Sequence, residues 1–437
     1  MKKTLYTLFF ASVTSIAAAQ TVDKIITKDY VDHLIKTLSA DDMEGRRTFT
    51  PGIEKAATFI EKEFAAIGLK PLNGQTGYRQ TFHKYQVKPT LTSVSIDGQP
   101  VSQENLLVIG NNTESLSFDK SNSDGWIKLN PDKDFVTQYR ALVKSNKKQL
   151  VLVDIKFVDI FNRLKSSLGK GAIVDEKDLN AEKPAAAVFV LDKDTIANSF
   201  NVTLKNTITK MPLFNVAGII PGKSKAKELV IFSGHYDHMG IVKPVEGDSI
   251  MNGADDDASG TSAVIALAKY YKKLNKNERT LIFVAFTGEE MGMFGSRYFS
   301  QKLNPDEVVA MFNIEMIGKD SKFGKNTAFI TGYEKSDLGK ILQKNLEGTE
   351  FTFHPDPYTQ QNLFYRSDNA TLAALGVPAH TISTDQIDTD KLYHTVKDEY
   401  SSLDVDNILS TIKAIAKSAV SIINGTDTPN RIPKLNQ

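Results

Sequence analysis

From Met211 onward the chain alternates short, uninterrupted apolar runs with amphipathic stretches, and this pattern restricts it to few architectures. Leu229–Phe232, Leu281–Phe286, Val308–Ile314 and Ala379–Ile382 read as strands, and Thr261–Leu274, Leu338–Leu346 and Ile408–Ile423 as helices. The strands lack polar alternation, so both of their faces need covering. That requirement predicts an α/β fold, with a mostly parallel central sheet sandwiched by helices. Residues 28–69 add helical spacing in Tyr30, Leu34, Ile35 and Leu38, and a second amphipathic run from Ile53 to Ile67 that Gly68 ends. Between about 88 and 207 the texture turns strand-rich, with Val94–Ile96, Leu150–Ile155 and Ala185–Leu191 as strands and no acid/histidine cluster. This stretch reads as an inserted β-rich domain, 88–207, in a main domain built from 20–87 and 208–437. A chain of 437 residues accommodates that division.

The first nineteen residues are of another kind. Lys2 and Lys3 precede a mostly apolar stretch from Leu5 to Ala18, and Ala17, Ala18 and Ala19 offer small residues for cleavage. Residues 1–19 are therefore read as a signal peptide, too short and too interrupted for a membrane span, and the product as exported to a periplasm or the extracellular space. The chain has no cysteine, which removes disulfides, thiol catalysis and sulfur-ligated zinc. A formal net charge of +1 without Lys/Arg blocks argues against nucleic-acid binding.

The chemistry-bearing residues follow the strands. Gly234-His235-Tyr236-Asp237-His238, Thr287-Gly288-Glu289-Glu290 and Asn313-Ile314-Glu315-Met316 each leave a strand end, and Gly253-Ala254-Asp255-Asp256-Asp257-Ala258-Ser259-Gly260 leads into a helix. Tyr393-His394-Thr395 lies between the last strand and the last helix. In open α/β sheets, ligands bind outside the carboxyl ends of the strands, so these segments can converge. Asp256, Glu289, Glu290 and Glu315 gathered there would repel one another unless cations were present. Histidine and carboxylate donors without sulfur suit zinc, and a shared carboxylate suits two ions. His235 and Asp237, two apart in extended chain, project to one side, so Asp237 is expected to hold the second imidazole nitrogen of His235. Asp257 or Ser259 is expected to cap the helix. Of Glu289 and Glu290, one binds metal and its neighbour acts as general base. His33, His83, His354 and His380 lack acidic company and are read as ordinary satisfied side chains; the same reading is preferred for His238, with a metal role as the alternative.

These segments resemble the co-catalytic zinc aminopeptidase family, whose relatives include glutamate carboxypeptidases and glutaminyl cyclases. Gly45-Arg46-Arg47, Pro51-Gly52, Arg366-Ser367-Asp368-Asn369 and Gly376-Val377-Pro378-Ala379 extend the resemblance, which covers about 40–88 and 208–425; the inserted segment is similar to protease-associated domains. The resemblance implies a zinc-peptidase, phosphorylase/hydrolase-like fold and two Zn2+ per chain. It gives His235 and Glu315 to one ion, Glu290 and His394 to the other, and Asp256 to both. It makes Glu289 the general base and Tyr393 an oxyanion stabiliser, and it places Arg366 at the substrate. Two positions depart from the family: Glu315 stands where Asp is more common, and Asn369 where His is frequent.

The implied function is an exported aminopeptidase acting on peptide or protein N-termini. A carboxypeptidase or dipeptidase could use the same metals, and a non-catalytic binding protein could keep the scaffold.

Overall fold

The computed structural model describes residues 22–168, 171–179, 185–192 and 196–435; the signal-peptide reading of 1–19 falls outside them. The chain divides into two compact units, one running to Phe82 and resuming at Leu213, the other spanning His83–Pro212.

The larger unit begins with helices α1 (Lys28–Leu38) and α2 (Pro51–Ile67). Thr27 caps α1 by accepting from the Tyr30 N–H at 3.3 Å, and Val31, Leu34, Ile35 and Leu38 form its buried face. Pro51 opens α2, where a missing N–H costs nothing, and Gly68 closes it at φ 80°, a conformation that favours glycine. Six further strands of the central sheet and two long helices then follow in chain order after the long strand β1 (Phe200–Ile220), which enters the larger unit at Leu213. They are β2 (Lys225–His235), α3 (Gly260–Leu274), β3 (Arg279–Phe286), β4 (Val308–Ile314), β5 (Thr327–Ile330), β6 (Thr352–Pro355), β7 (Ala379–Ser383) and α4 (Val405–Ser418).

Within a twelve-stranded sheet these strands lie in the order β6-β5-β7-β4-β2-β3-β1. β7, β4, β2 and β3 run parallel to their neighbours in that series, while β1 pairs antiparallel with β3 and β5 antiparallel with β7. The apolar strands have no polar side because each face has its own core. Phe232, Leu281, Phe283, Ala310 and Phe312 pack with α1–α4 on one face, and Ile231, Ile282, Val284 and Met311 with Phe299 and Leu372 on the other. Phe232 stacks between Phe283 and Phe312, with ring centroids at 5.4 and 4.9 Å. The short strands β5 and β6 have no counterpart in the sequence reading, since four-residue runs leave too little periodicity to detect.

The smaller unit carries a mixed four-stranded sheet in the order Leu106–Ile109, Ala186–Leu191, Lys148–Val153, Trp126–Lys128. It also contains the helices Phe135–Ser145 and Val158–Leu168, in a stretch whose sequence reads as strand-rich. Asp134 caps the first of these helices through the Thr137 N–H at 2.7 Å. Among the described residues, no helix is long and apolar enough to cross a membrane.

Candidate metal centre

Parallel pairing sends β2, β3, β4 and β7 out at one edge of the sheet. His235 pairs with Phe286, Ser233 with Asn313 and Ile314 with Ile382. His235, the Thr287–Glu290 turn and Glu315 therefore leave the sheet side by side. The loop before α3 brings Asp256 to the same edge. Asp257 anchors that loop: its carboxylate accepts from the N–H groups of His235 (3.1 Å), Gly260 (3.0 Å) and Met316 (3.2 Å). Asp257, not Ser259, is thus the side-chain cap of α3; Ser259 Oγ instead donates to the Asp255 carbonyl at 2.7 Å. Gly260 permits the close approach, because a Cβ there would lie 2.1 Å from the Ile314 carbonyl oxygen. From the other side, the Asp398 carboxylate receives the N–H groups of Asp255 (2.9 Å) and Asp256 (3.1 Å).

Asp256 occupies the middle of the site. Its Oδ1 lies 3.1 Å from His235 Nε2, and its Oδ2 lies 3.2 Å from His394 Nε2 and 3.6 Å from His238 Nδ1. Glu290 Oε1 in turn sits 3.0 Å from His238 Nδ1 and 3.1 Å from His394 Nε2. His238, Asp256, Glu290 and His394 each present a donor atom within 4.8 Å of the others. His238, read from sequence as a satisfied side chain, is therefore part of the cluster. The signal that could have found it is its place in the same post-strand segment as His235.

The charges have no solvent to disperse them. Burial opposes ionisation of Asp256, but the facing imidazoles of His235 and His394 override it and hold the carboxyl well below its usual range. Burial pulls His394 down, and the carboxylates of Asp256 and Glu290 outweigh it to carry the imidazole up to about 10. Glu289 is held well above the carboxylate range by burial and by Glu315, Asp368 and Glu290, against the opposing charge of His235. Without metal, protons on imidazole thus compensate the carboxylates. Cations suit the same position, because His235 Nε2, His238 Nδ1, Glu290 Oε1 and His394 Nε2 are buried and make no hydrogen bond. A second acidic group, Asp255, Asp385 and Asp390, already has a cation: Lys319 Nζ lies 3.2 Å from Asp255 and 2.7 Å from Asp390.

Asp237 differs from its expected contact. His235 Nδ1 is 3.0 Å from the main-chain carbonyl of Asp237 and 3.9 Å from its carboxylate. The carboxylate instead receives the Glu289 N–H at 3.2 Å and the Thr48 hydroxyl at 3.2 Å. The expectation assumed extended chain through Asp237, but β2 ends at His235. Tyr393 stacks on His394, centroids 3.9 Å apart, and keeps its proton because burial and the surrounding carboxylates raise its pKa. Asn369 does not face substrate: it is fully buried, donating to Phe364 and Ala379 carbonyls and accepting from Thr381. Glu315 is half-buried, with Asn313 Nδ2 at 3.3 Å from its carboxylate. Asp256, Glu289, Glu290, Glu315, Tyr393 and Arg366 share the walls of one cleft with Phe329, Leu363 and Ile387. His33, His83 and His354 stand outside the donor groups found among the described residues. His380 is a satisfied core side chain, bonded to Ser336 Oγ (2.7 Å) and the Thr331 carbonyl (2.8 Å).

A mostly parallel sheet whose strand ends gather imidazoles and carboxylates around a cleft defines an α/β protein with a metal-type centre. Residues 215–419, within the larger unit of this chain, match the sequence model of Peptidase family M28. Leucine aminopeptidase 1 of Ajellomyces capsulatus (strain H88) is 27% identical over 216 residues, covering 46% of this chain and 54% of that relative. A probable zinc metalloprotease of Pyrenophora tritici-repentis (strain Pt-1C-BFP) is 31% identical over 124 residues, covering 28% and 23%. The chain thus spans about half the length of the first relative and less of the second. The fold is similar to that of an aminopeptidase from Aneurinibacillus sp. strain AM-1, with a TM-score of 0.53 and 19% identity over 96% of this chain and 97% of that one.

Proposed function

We propose that this protein is an exported zinc-dependent aminopeptidase. The observation that carries the reading is the position of Asp256, one oxygen toward His235 and the other toward Glu290's partners His394 and His238, with Glu289 alongside in an open cleft. That arrangement supports two ions sharing Asp256: one with His235 and Glu315, the other with Glu290 and His394. The names of the two relatives, a leucine aminopeptidase and a probable zinc metalloprotease, agree with this choice. The basic and apolar start of the chain supports export.

These residues would hold zinc, which would supply Lewis acidity toward water and the scissile carbonyl. Glu289 accepts the proton of the attacking water and returns it to the leaving amine. Asp237 fixes the Glu289 backbone through its 3.2 Å hydrogen bond. Protonated Tyr393 donates to the oxygen that gains charge on the carbonyl. The carboxylates beside the metals hold the free α-ammonium of the substrate.

Arg366 in the same cleft gives a specific ground for the second reading, a carboxypeptidase or dipeptidase, because a guanidinium can bind a terminal carboxylate. A single comparison separates the two. Peptides with a free N-terminus are expected to be cleaved, and their N-acetylated forms spared, whether or not the C-terminus is amidated. Cleavage of acetylated peptides that requires a free C-terminus would establish the second reading instead.

A further inference from the structure

His238 lies fully inside the protein, at 1% exposure, yet neither ring nitrogen has a hydrogen-bond partner. A buried imidazole with both nitrogens unmatched is costly, since each loses hydration without compensation. Its Nδ1 points into the cluster, 3.0 Å from Glu290 Oε1 and 3.6 Å from Asp256 Oδ2, and the ring stands edge-on to His394 at 5.7 Å. The placement is built in from several directions. The His238 N–H donates to the Arg46 carbonyl at 3.3 Å. Gly253, at φ 56°, leaves the space the ring fills, because a Cβ there would come within 2.5 Å of it.

We propose that His238 is a metal ligand, joining Glu290, His394 and the shared Asp256 around one ion. On the two-ion reading above, the two positions then become unequal. One has two imidazoles and two carboxylates, the donor number of a closed, tetrahedral zinc site. The other, with His235, Glu315 and the shared Asp256, has three protein donors and keeps room for water or substrate. The closed position holds its ion through metal exchange and secures the loops that carry it; the open position is the exchangeable one.

The test is metal binding by the full-length protein, stripped with chelator and titrated with zinc and with cobalt(II), in wild type and in His238→Ala and His238→Asn. Wild type is expected to bind two ions with clearly different affinities, and both variants to lose the tighter class by about 100-fold or more, beyond the range seen when only an outlying hydrogen-bond partner is removed. X-ray absorption of the zinc-loaded proteins is expected to count three imidazoles for two ions in wild type and two in His238→Ala. Circular dichroism of the stripped proteins identifies a variant that fails to fold, and His238→Gln, which keeps a polar side chain of similar length but no imidazole, then serves as the second perturbation. Wild type with no bound metal would overturn the whole metallopeptidase reading. Two ions in wild type, with unchanged affinities and imidazole count in the variants, would overturn the role of His238 alone. A modest loss of affinity with an unchanged imidazole count would also overturn it, making His238 only a hydrogen-bonding neighbour of Glu290.

Discussion

The carboxylate of Asp237 accepts the backbone N–H of Glu289 at 3.2 Å, joining the segment after β2 to the turn after β3. An acid two residues from the first histidine thus positions the proposed base. Asp237→Ala releases that turn and leaves the Thr48 hydroxyl unmatched as well. Turnover is expected to fall by roughly 10–100-fold, the range for loss of a supporting partner. Thr48→Val, which leaves the Glu289 bond in place, is expected to cost less. Steady-state kinetics with zinc content measured on the same samples checks both.

Glu289→Gln preserves shape but cannot accept a proton. It is expected to lower kcat by about 10²–10⁴-fold with bound zinc unchanged. Glu290→Gln is expected to lose metal first and to recover part of its activity in excess zinc. The two variants measured side by side distinguish base from ligand, and near-normal turnover of Glu289→Gln would contradict the mechanism.

Arg46 is wholly buried, and its guanidinium donates to the carbonyls of Leu38 (2.7 Å), Tyr236 (2.9 Å), Asn252 (2.5 Å) and Gly253 (2.9 Å). One side chain thereby ties α1 to both loops that carry Asp256 and His238. Arg46→Met fills similar space but strands those carbonyls. Each buried acceptor left unsatisfied costs ~1–3 kcal/mol, so a loss of at least ~3 kcal/mol is expected in urea unfolding of the metal-free protein.

Burial, with a smaller contribution from Lys335, lowers the pKa of His380 to about 4 from its ordinary 6.5, while the Thr331 carbonyl works against the shift. Above pH 6.5 both folded and unfolded forms are neutral, and the full contribution is present. As pH falls from 6.5 to 4 the unfolded chain takes up the proton first, so stability declines by about 1.4 kcal/mol per pH unit, about 3 kcal/mol in all. Below pH 4 the folded form also protonates and the decline stops. His380→Gln is expected to show a shallower fall in unfolding free energy across that window. Equal slopes in the two proteins would show that the imidazole does not titrate differently on folding.

The sheet was legible because burial on both faces leaves its mark locally. Ile231 and Phe232 are adjacent in the chain, yet they enter cores on opposite sides, so the run must be apolar throughout. The short strands β5 and β6 and the two helices of the smaller unit were not legible; four-residue runs and a mixed composition carry little period. The convergence of His235, Asp256, Glu289, Glu290 and Glu315 could be read because parallel strands deliver their ends to one edge.

What the sequence determined by itself was which segments carry donors and which edge of the sheet receives them, since strand order and chain direction leave little freedom. What only the tertiary structure decided was where side chains point once the regular backbone stops. β2 ends at His235; beyond it the Tyr236 N–H still bonds the Phe286 carbonyl, but the His238 N–H bonds Arg46, far away in sequence. Past that strand end the alternation of a strand no longer applies, so the aim of Asp237 toward Glu289 and of His238 toward Glu290 is set by contacts between distant segments. A local pattern specifies directions only while local hydrogen bonds repeat; in the loops that make the site, packing across the fold specifies them instead.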